Sequence, residues 1–154
     1  MLLTKDGKEL VLFYGGESLK VPDTVEKIDS YACYQLGNLS DVKLNDKLKE
    51  IGDYAFYHTG ISTIKLKKNI QIIGEQAFAG NDIKTVKFNK KIKLIGKYCF
   101  DDNLLRKVYL RSNPRIEEGA FPKDAVIQYS KKAKNKGSVA ELEYRVKTLC
   151  IAGE

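Results

Sequence analysis

A hexapeptide returns at a fixed interval of 22 residues. Ile51-Gly52-Asp53-Tyr54-Ala55-Phe56 reappears as Ile73-Gly74-Glu75-Gln76-Ala77-Phe78 and again as Ile95-Gly96-Lys97-Tyr98-Cys99-Phe100. Fainter copies stand on either side, as Ile28-Asp29-Ser30-Tyr31-Ala32-Cys33 and Ile116-Glu117-Glu118-Gly119-Ala120-Phe121. Self-similarity at a period of about 20–29 residues marks a chain of stacked units, each of which buries its apolar face against its neighbours. Such a solenoid more often offers a binding surface than a catalytic cleft.

Each repeat has three parts. The first has apolar residues at alternate positions, as a strand requires: Leu19 and Val21, Val42 and Leu44, Ile64 and Leu66, Val86 and Phe88, Val108 and Leu110. A further apolar residue stands three positions ahead in four repeats (Leu39, Ile61, Ile83, Leu105), which gives the L-x-x-L-x-L strand pattern of leucine-rich repeats. The second part carries Val25 and Ile28, Leu48 and Ile51, Ile70 and Ile73, Ile92 and Ile95. The third, the I-G-x-x-A-F segment, is too short for a full helix and predicts a single helical turn on the outer face. Its Ala fits where backbones crowd, and its Phe fills the space between sheet and outer wall.

The ends differ from the middle. Residues 1–16 predict a hairpin cap, with Leu2-Leu3-Thr4 and Glu9 to Tyr14 flanking an Asp6-Gly7 pair suited to a tight turn. Residues 17–129 hold about five repeats of 21–23 residues, with slips near Cys33 and Pro114 where stacking stops. Val126 to Tyr129 reads as a final strand. Residues 130–154 predict a C-terminal cap: a lysine-rich loop, a short helix capped by Ser138 and Glu141, and an edge strand near Thr148 to Ile151.

The hexapeptide, the strand triplets and the opening Val21-Pro22-Asp23-Thr24-Val25-Glu26-Lys27-Ile28 resemble the BspA-like leucine-rich repeats of bacterial and protozoan proteins. The tail Gly137-Ser138-Val139-Ala140-Glu141 looks like the terminal segments of such proteins, so the resemblance covers roughly residues 10–145. It implies an α/β-type solenoid: a right-handed coil with parallel strands on the concave face and short helical turns on the convex face. Family members are often large, exported, surface-attached proteins implicated in adhesion. This chain departs in lacking the asparagine that recurs after the strand in many other leucine-rich repeats.

Alternation sends the residues between the apolar strand positions to the opposite, concave face. The period then aligns Lys20, Lys43, Lys65, Lys87 and Tyr109 in one ladder, flanked by Asp41 and Asn45, Thr63 and Lys67, Thr85 and Asn89, Lys107 and Arg111. Ammonium groups about 5 Å apart in water repel by roughly 0.8 kcal/mol before screening, so the ladder is tolerable but unfavourable. The candidate partner-binding residues are Lys20, Lys43, Lys65, Lys67, Lys87, Lys107, Tyr109 and Arg111. The alternative is that lysine merely keeps an open strand surface soluble.

A net charge of +7, from 27 Lys+Arg against 20 Asp+Glu, favours an acidic partner. A protein with an acidic face is the leading expectation, and an anionic glycan or other anionic polymer is the alternative. Arginine, the better bidentate phosphate ligand, occurs only at 106, 111, 115 and 145, which weighs against a nucleic-acid reader. No apolar run approaches the roughly 20 residues of a membrane span, and Met1 to Asp6 lacks the pattern of a signal peptide. The chain as written is expected in the cytosol, as a monomer, or as a piece cut from a longer exported protein.

No catalytic residue, cofactor or metal site is expected. The single histidine, His58, has no evident partner, and no nucleophile elbow, phosphate loop or zinc spacing occurs. Asn81-Asp82 and Asp101-Asp102-Asn103 resemble fragments of a calcium-ligand set but fall in turns, where such residues are ordinary. Cys33 and Cys99 occupy core positions and read as small hydrophobes. Tyr31, Tyr54 and Tyr98 read as partly buried packing residues of the outer turn. The reading is a non-catalytic protein-interaction module of adhesion type.

Overall fold

The computed structural model describes residues 1–130, Ala133 and the backbone of the strand at Leu149–Cys150. The expected helix after Ser138 and most of the lysine-rich loop lie outside the described residues. The chain opens with β1 (Leu2–Leu3) and β2 (Glu9–Leu12), an antiparallel hairpin turned through Gly7 at φ 69°. Most repeats then give two short strands. On one side are β3 (Ser18–Lys20), β5 (Asp41–Lys43), β8 (Thr85–Lys87), β10 (Lys107–Leu110) and β12 (Val126–Tyr129), the last paired with β13 (Leu149–Cys150). On the other are β4 (Lys27–Ile28), β6 (Glu50–Ile51), β7 (Ile72–Ile73), β9 (Leu94–Ile95) and β11 (Arg115–Ile116).

The second set forms a seven-stranded sheet in the order β1-β2-β4-β6-β7-β9-β11, parallel apart from the hairpin. The first set, which we term the strand face, is split into a β3-β5 pair and a β13-β12-β10-β8 sheet. Residues 62–66 between them form no strand, although Ser62-Thr63-Ile64-Lys65-Leu66 shows the same alternation as its neighbours. Inside run the expected columns. Ile28, Ile51, Ile73 and Ile95 are wholly buried, as are the phenylalanines Phe56, Phe78 and Phe100. These three rings stack at centroid distances of 5.2 Å, and Phe121 continues the column at 5.8 Å.

The expected helical turn on the outer face is not there: the described residues contain no α-helix. The hexapeptide instead forms successive tight turns whose amides point alternately within and between repeats. Tyr54, Phe56 and His58 donate to the carbonyls of Glu75, Ala77 and Ala79 one repeat on, while Ala55 and Tyr57 donate back to Gly52 and Tyr54. This alternation requires left-handed backbone at two positions per repeat. Tyr31, Tyr54, Gln76 and Tyr98 stand at the first, with φ between 48° and 61°, and Gly119 completes the column at 64°. Gln35, His58 and Asp102 hold the second, which glycine takes at Gly80. A non-glycine residue there is strained by about 1 kcal/mol or more, and inter-repeat hydrogen bonds offset it. A helix would have spent the same amides inside one turn and left neighbouring repeats unjoined.

Gly52, Gly74 and Gly96 answer a different need, close backbone approach. A Cβ on Gly96 would lie 2.5 Å from the carbonyl carbon of Gly74. Asparagine stands directly after the last apolar strand position in alternate repeats, at Asn45 and Asn89. Asn45 is buried and donates to Pro22 and Val25 carbonyls while accepting from the Lys47 and Leu48 amides. Asn89 repeats this on Lys67, Ile70 and Lys91. Both therefore turn inward rather than to the concave surface, because the chain bends after the strand and the two-residue alternation ends with it.

Candidate functional site

The strand face carries most of the sequence-derived candidates outward. Lys20, Lys43, Lys65, Lys87, Lys107 and Arg111 are exposed, and Lys67 and Tyr109 are half-buried. Backbone pairing sets Lys20 opposite Lys43, and Lys87 opposite Tyr109, which is opposite Gln128 in turn. Lys107 lies in the adjacent column, opposite Thr85 and Val126. Lys65 lies in the break between the two sheets. The ladder is thus two short rows joined by an unpaired segment, and Gln128 is a member that the repeat pattern did not nominate.

Its charge is partly answered within the chain. The Lys43 ammonium lies 3.2 Å from Asp41, with both side chains mostly in solvent, so the pair adds little stability. The Lys87 ammonium sits 5.7 Å from the Tyr109 ring centroid, within cation–π range. Lys20, Lys65 and Lys107 have no carboxylate within 4.0 Å among the described residues. An open row of cations beside a half-buried tyrosine can take a carboxylate-bearing or sulfated surface.

The asparagines of the inter-repeat turns are engaged by the backbone. Asn81 is buried and makes six hydrogen bonds, to Thr59, Ile61, Phe56, Phe78 and Ala79. Asn103 repeats part of this pattern on Ile83, Phe78, Phe100 and Asp101. No cluster of metal-ligating side chains occurs among the described residues. Nor is any helix there long and apolar enough to cross a membrane.

Cys33 and Cys99 are wholly buried. Burial pushes the Cys33 thiol from 9.0 to about 12, and it also raises Cys99 well above its ordinary value. Both are neutral thiols at physiological pH and poor nucleophiles. The folded state therefore favours the protonated thiol. For Cys33 this contribution is complete below pH 9 and is lost as pH rises from 9 towards 12, by about 1.4 kcal/mol per pH unit. Urea midpoints at pH 8 and pH 10 are expected to differ less for Cys33→Ala than for the parent chain. An aromatic disulfide reagent should meet neither thiol until urea unfolds the protein.

A surface cluster lies on the outer wall instead. Tyr31 and Tyr54 stack with centroids 5.0 Å apart, and Tyr34 and Tyr57 stack at 5.2 Å beside them. His58 meets Tyr57 edge-on at 4.4 Å. Tyr31 is 52% exposed, more open than expected of a packing residue, and Tyr34 is 38% exposed, whereas Tyr54 and Tyr98 are half-buried as expected. The Tyr54 phenol is raised above its ordinary value by partial burial first and by the Glu75 carboxylate next. The pattern was visible in the sequence as Tyr31, Tyr34, Tyr54 and Tyr57 at spacings of 3, 20 and 3, but only the left-handed turn brings the pairs together.

A family model of the BspA type leucine rich repeat region matches six copies over residues 13–127, one more than the period alone suggested. A leucine-rich repeat protein from Eubacterium ventriosum superposes with TM-score 0.69 and 20% identity, covering 77% of this chain and 33% of that one. The pneumococcal vaccine antigen PcpA gives TM-score 0.64 and 15% identity, over 99% and 46% of the respective chains. A leucine-rich repeat protein from Bacteroides ovatus gives 0.53 and 18%, over 73% and 39%. The chain thus spans less than half the length of each of these relatives, and the likeness is one of fold. No curated protein matches the chain.

Proposed function

The chain belongs to the BspA-type leucine-rich repeat family, and from that premise we propose that it is a non-catalytic protein-interaction module that docks an acidic partner on its strand face. The observation that carries this reading is the in-register exposure of Lys20 with Lys43 and of Lys87 with Tyr109 on one side of the solenoid. Parallel strands hold these groups at a fixed spacing of about 4.8 Å, which a flexible lysine-rich loop cannot do. Lys65, Lys67, Lys107 and Arg111 extend the surface at the break and at its edge. An adhesion-type role at a cell surface agrees with the vaccine antigen among the structural relatives.

The second reading, an anionic polymer such as a glycan, rests on the same cations and differs in its salt dependence. A polymer releases condensed counterions, so its affinity falls steeply with salt. A protein contact centred on Tyr109 and its apolar surroundings changes less. The test is capture of partners from host and source-cell lysates by the parent chain and by Lys43→Glu/Lys65→Glu/Lys87→Glu. Loss of the captured partner is expected; undiminished retention of every partner removes the strand face from consideration.

A further inference from the structure

The first column of left-handed turns sets tyrosine against tyrosine only between the first two repeats. Tyr31 and Tyr54 stack there with ring centroids 5.0 Å apart and planes 2° from parallel. Further along the column the neighbours of Tyr98 are Gln76 and Gly119, so it meets no second tyrosine. Register is fixed on both sides of the stacked pair. The Tyr31 amide donates to the Asp53 carbonyl at 2.9 Å, and the Cys33 amide donates to the Ala55 carbonyl at 2.8 Å. Neither backbone can slip without breaking bonds that join the repeats. Tyr34 and Tyr57 form a second stack at 5.2 Å, and contacts at 5.4 and 5.6 Å make the four rings continuous.

Two features give this pair a chemistry that an isolated tyrosine lacks. Tyr31 is exposed, so an oxidant in solution reaches its ring. Tyr54 is half-buried, and its hydroxyl donates to the Glu75 carboxylate at 3.4 Å while accepting from the Gln76 amide at 2.7 Å. Burial and that carboxylate hold the Tyr54 phenol in its protonated form. The same carboxylate is a base positioned to take the phenol proton once an electron is withdrawn from the ring. Groups held in contact react at effective concentrations far above those of molecules in dilute solution.

We propose that Tyr31 and Tyr54 are a cross-linking site, joined ring to ring by a carbon–carbon bond when a peroxide acts through a one-electron oxidant such as a haem peroxidase. One electron leaves each ring. The Tyr54 proton passes to Glu75 and the Tyr31 proton to water. The two phenoxyl radicals then couple through a carbon ortho to each oxygen. The two ortho hydrogens leave as protons, and each oxygen takes one back. The pair has then lost two hydrogens in all, and one peroxide has become two waters. The bond ties the first repeat to the second and resists thiol reductants, in a chain whose described cysteines are unpaired. The site is on the outer wall and is independent of the strand-face reading, so either can stand without the other.

The test treats the full chain in dilute solution with peroxide and a haem peroxidase, followed by dityrosine fluorescence and by mass spectrometry after trypsin. Trypsin cuts after lysine and separates residues 28–43, which hold Tyr31 and Tyr34, from residues 50–65, which hold Tyr54 and Tyr57. The expected product is a monomer with these two peptides joined, two hydrogens lighter than their sum, and with a urea midpoint above that of the untreated chain. Tyr31→Phe should lower the yield of joined peptides about tenfold, since the link depends on two phenols in contact. Tyr34→Phe should leave it in place, and urea midpoints before oxidation show that both variants fold. Glu75→Gln should slow the reaction at neutral pH without changing which peptides are joined. Tyr14, at 68% exposed, is the internal control for exposure alone. Products joined between chains through Tyr14, an undiminished yield from Tyr31→Phe, or loss of the joined peptides in Tyr34→Phe would each overturn the proposal. An unchanged rate in Glu75→Gln would overturn the part given to the carboxylate.

Discussion

Replacing Asn81 by alanine is expected to lower stability by about 3–5 kcal/mol, a large share of the roughly 5–15 kcal/mol that holds a domain folded. The side chain closes the turns of two consecutive repeats at once. Its carbonyl oxygen accepts from the amides of Thr59 and Ile61 at 3.2 and 3.0 Å and from the Thr59 hydroxyl at 2.9 Å. Its amide group donates to the carbonyls of Phe56, Phe78 and Ala79. Alanine would strand these backbone groups in a wholly buried place, each at about 1–3 kcal/mol where no water replaces the bond. Asn103→Ala should cost less, because Asn103 is half-buried and water can reach its partners. Urea midpoints of the two variants check this. A loss at Asn81 below 1 kcal/mol, or equal losses at both, would show that the turns close without it.

The second large effect is expected at Gly96. Its backbone is not left-handed; what it lacks is room. A Cβ there would stand 2.5 Å from the Gly74 carbonyl carbon, 2.6 Å from the Glu75 nitrogen and 2.7 Å from the Gly74 oxygen. All three are backbone atoms of the neighbouring repeat, so no side-chain rotation relieves the clash. The repeats must separate, and the Gly96 amide bond to Ile73 and the Phe78–Phe100 stack separate with them. Gly96→Ala is expected to cost about 3 kcal/mol, the upper part of the range for overpacking. Gly37→Ala, which would meet nothing within 4 Å, should be nearly neutral in the same thermal melt. A Gly96→Ala midpoint within two degrees of the parent would falsify the close-approach account.

The sequence was most informative where burial is decided by spacing. The alternation through Leu19, Val42, Val86 and Val108 placed each inside, and the hexapeptide correctly marked Ile51, Ala55 and Phe56 as core. The outer wall was misread because an isoleucine followed by apolar residues four and five positions later fits a helical turn and a pair of left-handed turns equally well. Tyrosine, glutamine and histidine at those turns give no compositional signal, unlike the glycines at 80 and 119 that betray them. Asn45 and Asn89 were sent outward by carrying the strand alternation one residue past its end, where the chain has already bent. The ladder of cations was legible from the period, but the break at Lys65 was not. Ser62 to Leu66 carries the same apolar spacing as strands that do pair, so nothing local separates them.

The two sheets close at opposite ends. The hairpin of β1 and β2 seals the seven-stranded sheet at the start, and β13 extends the strand face at the finish. Neither closure is built from the repeating unit, whereas the joints at Gly52, Gly74 and Gly96 use the same bonds each time. A duplication of 22 codons in the interior therefore adds one more identical joint and leaves both closures untouched. The reach of such a molecule can therefore drift over generations in steps of one repeat, without a change in how neighbouring repeats are joined.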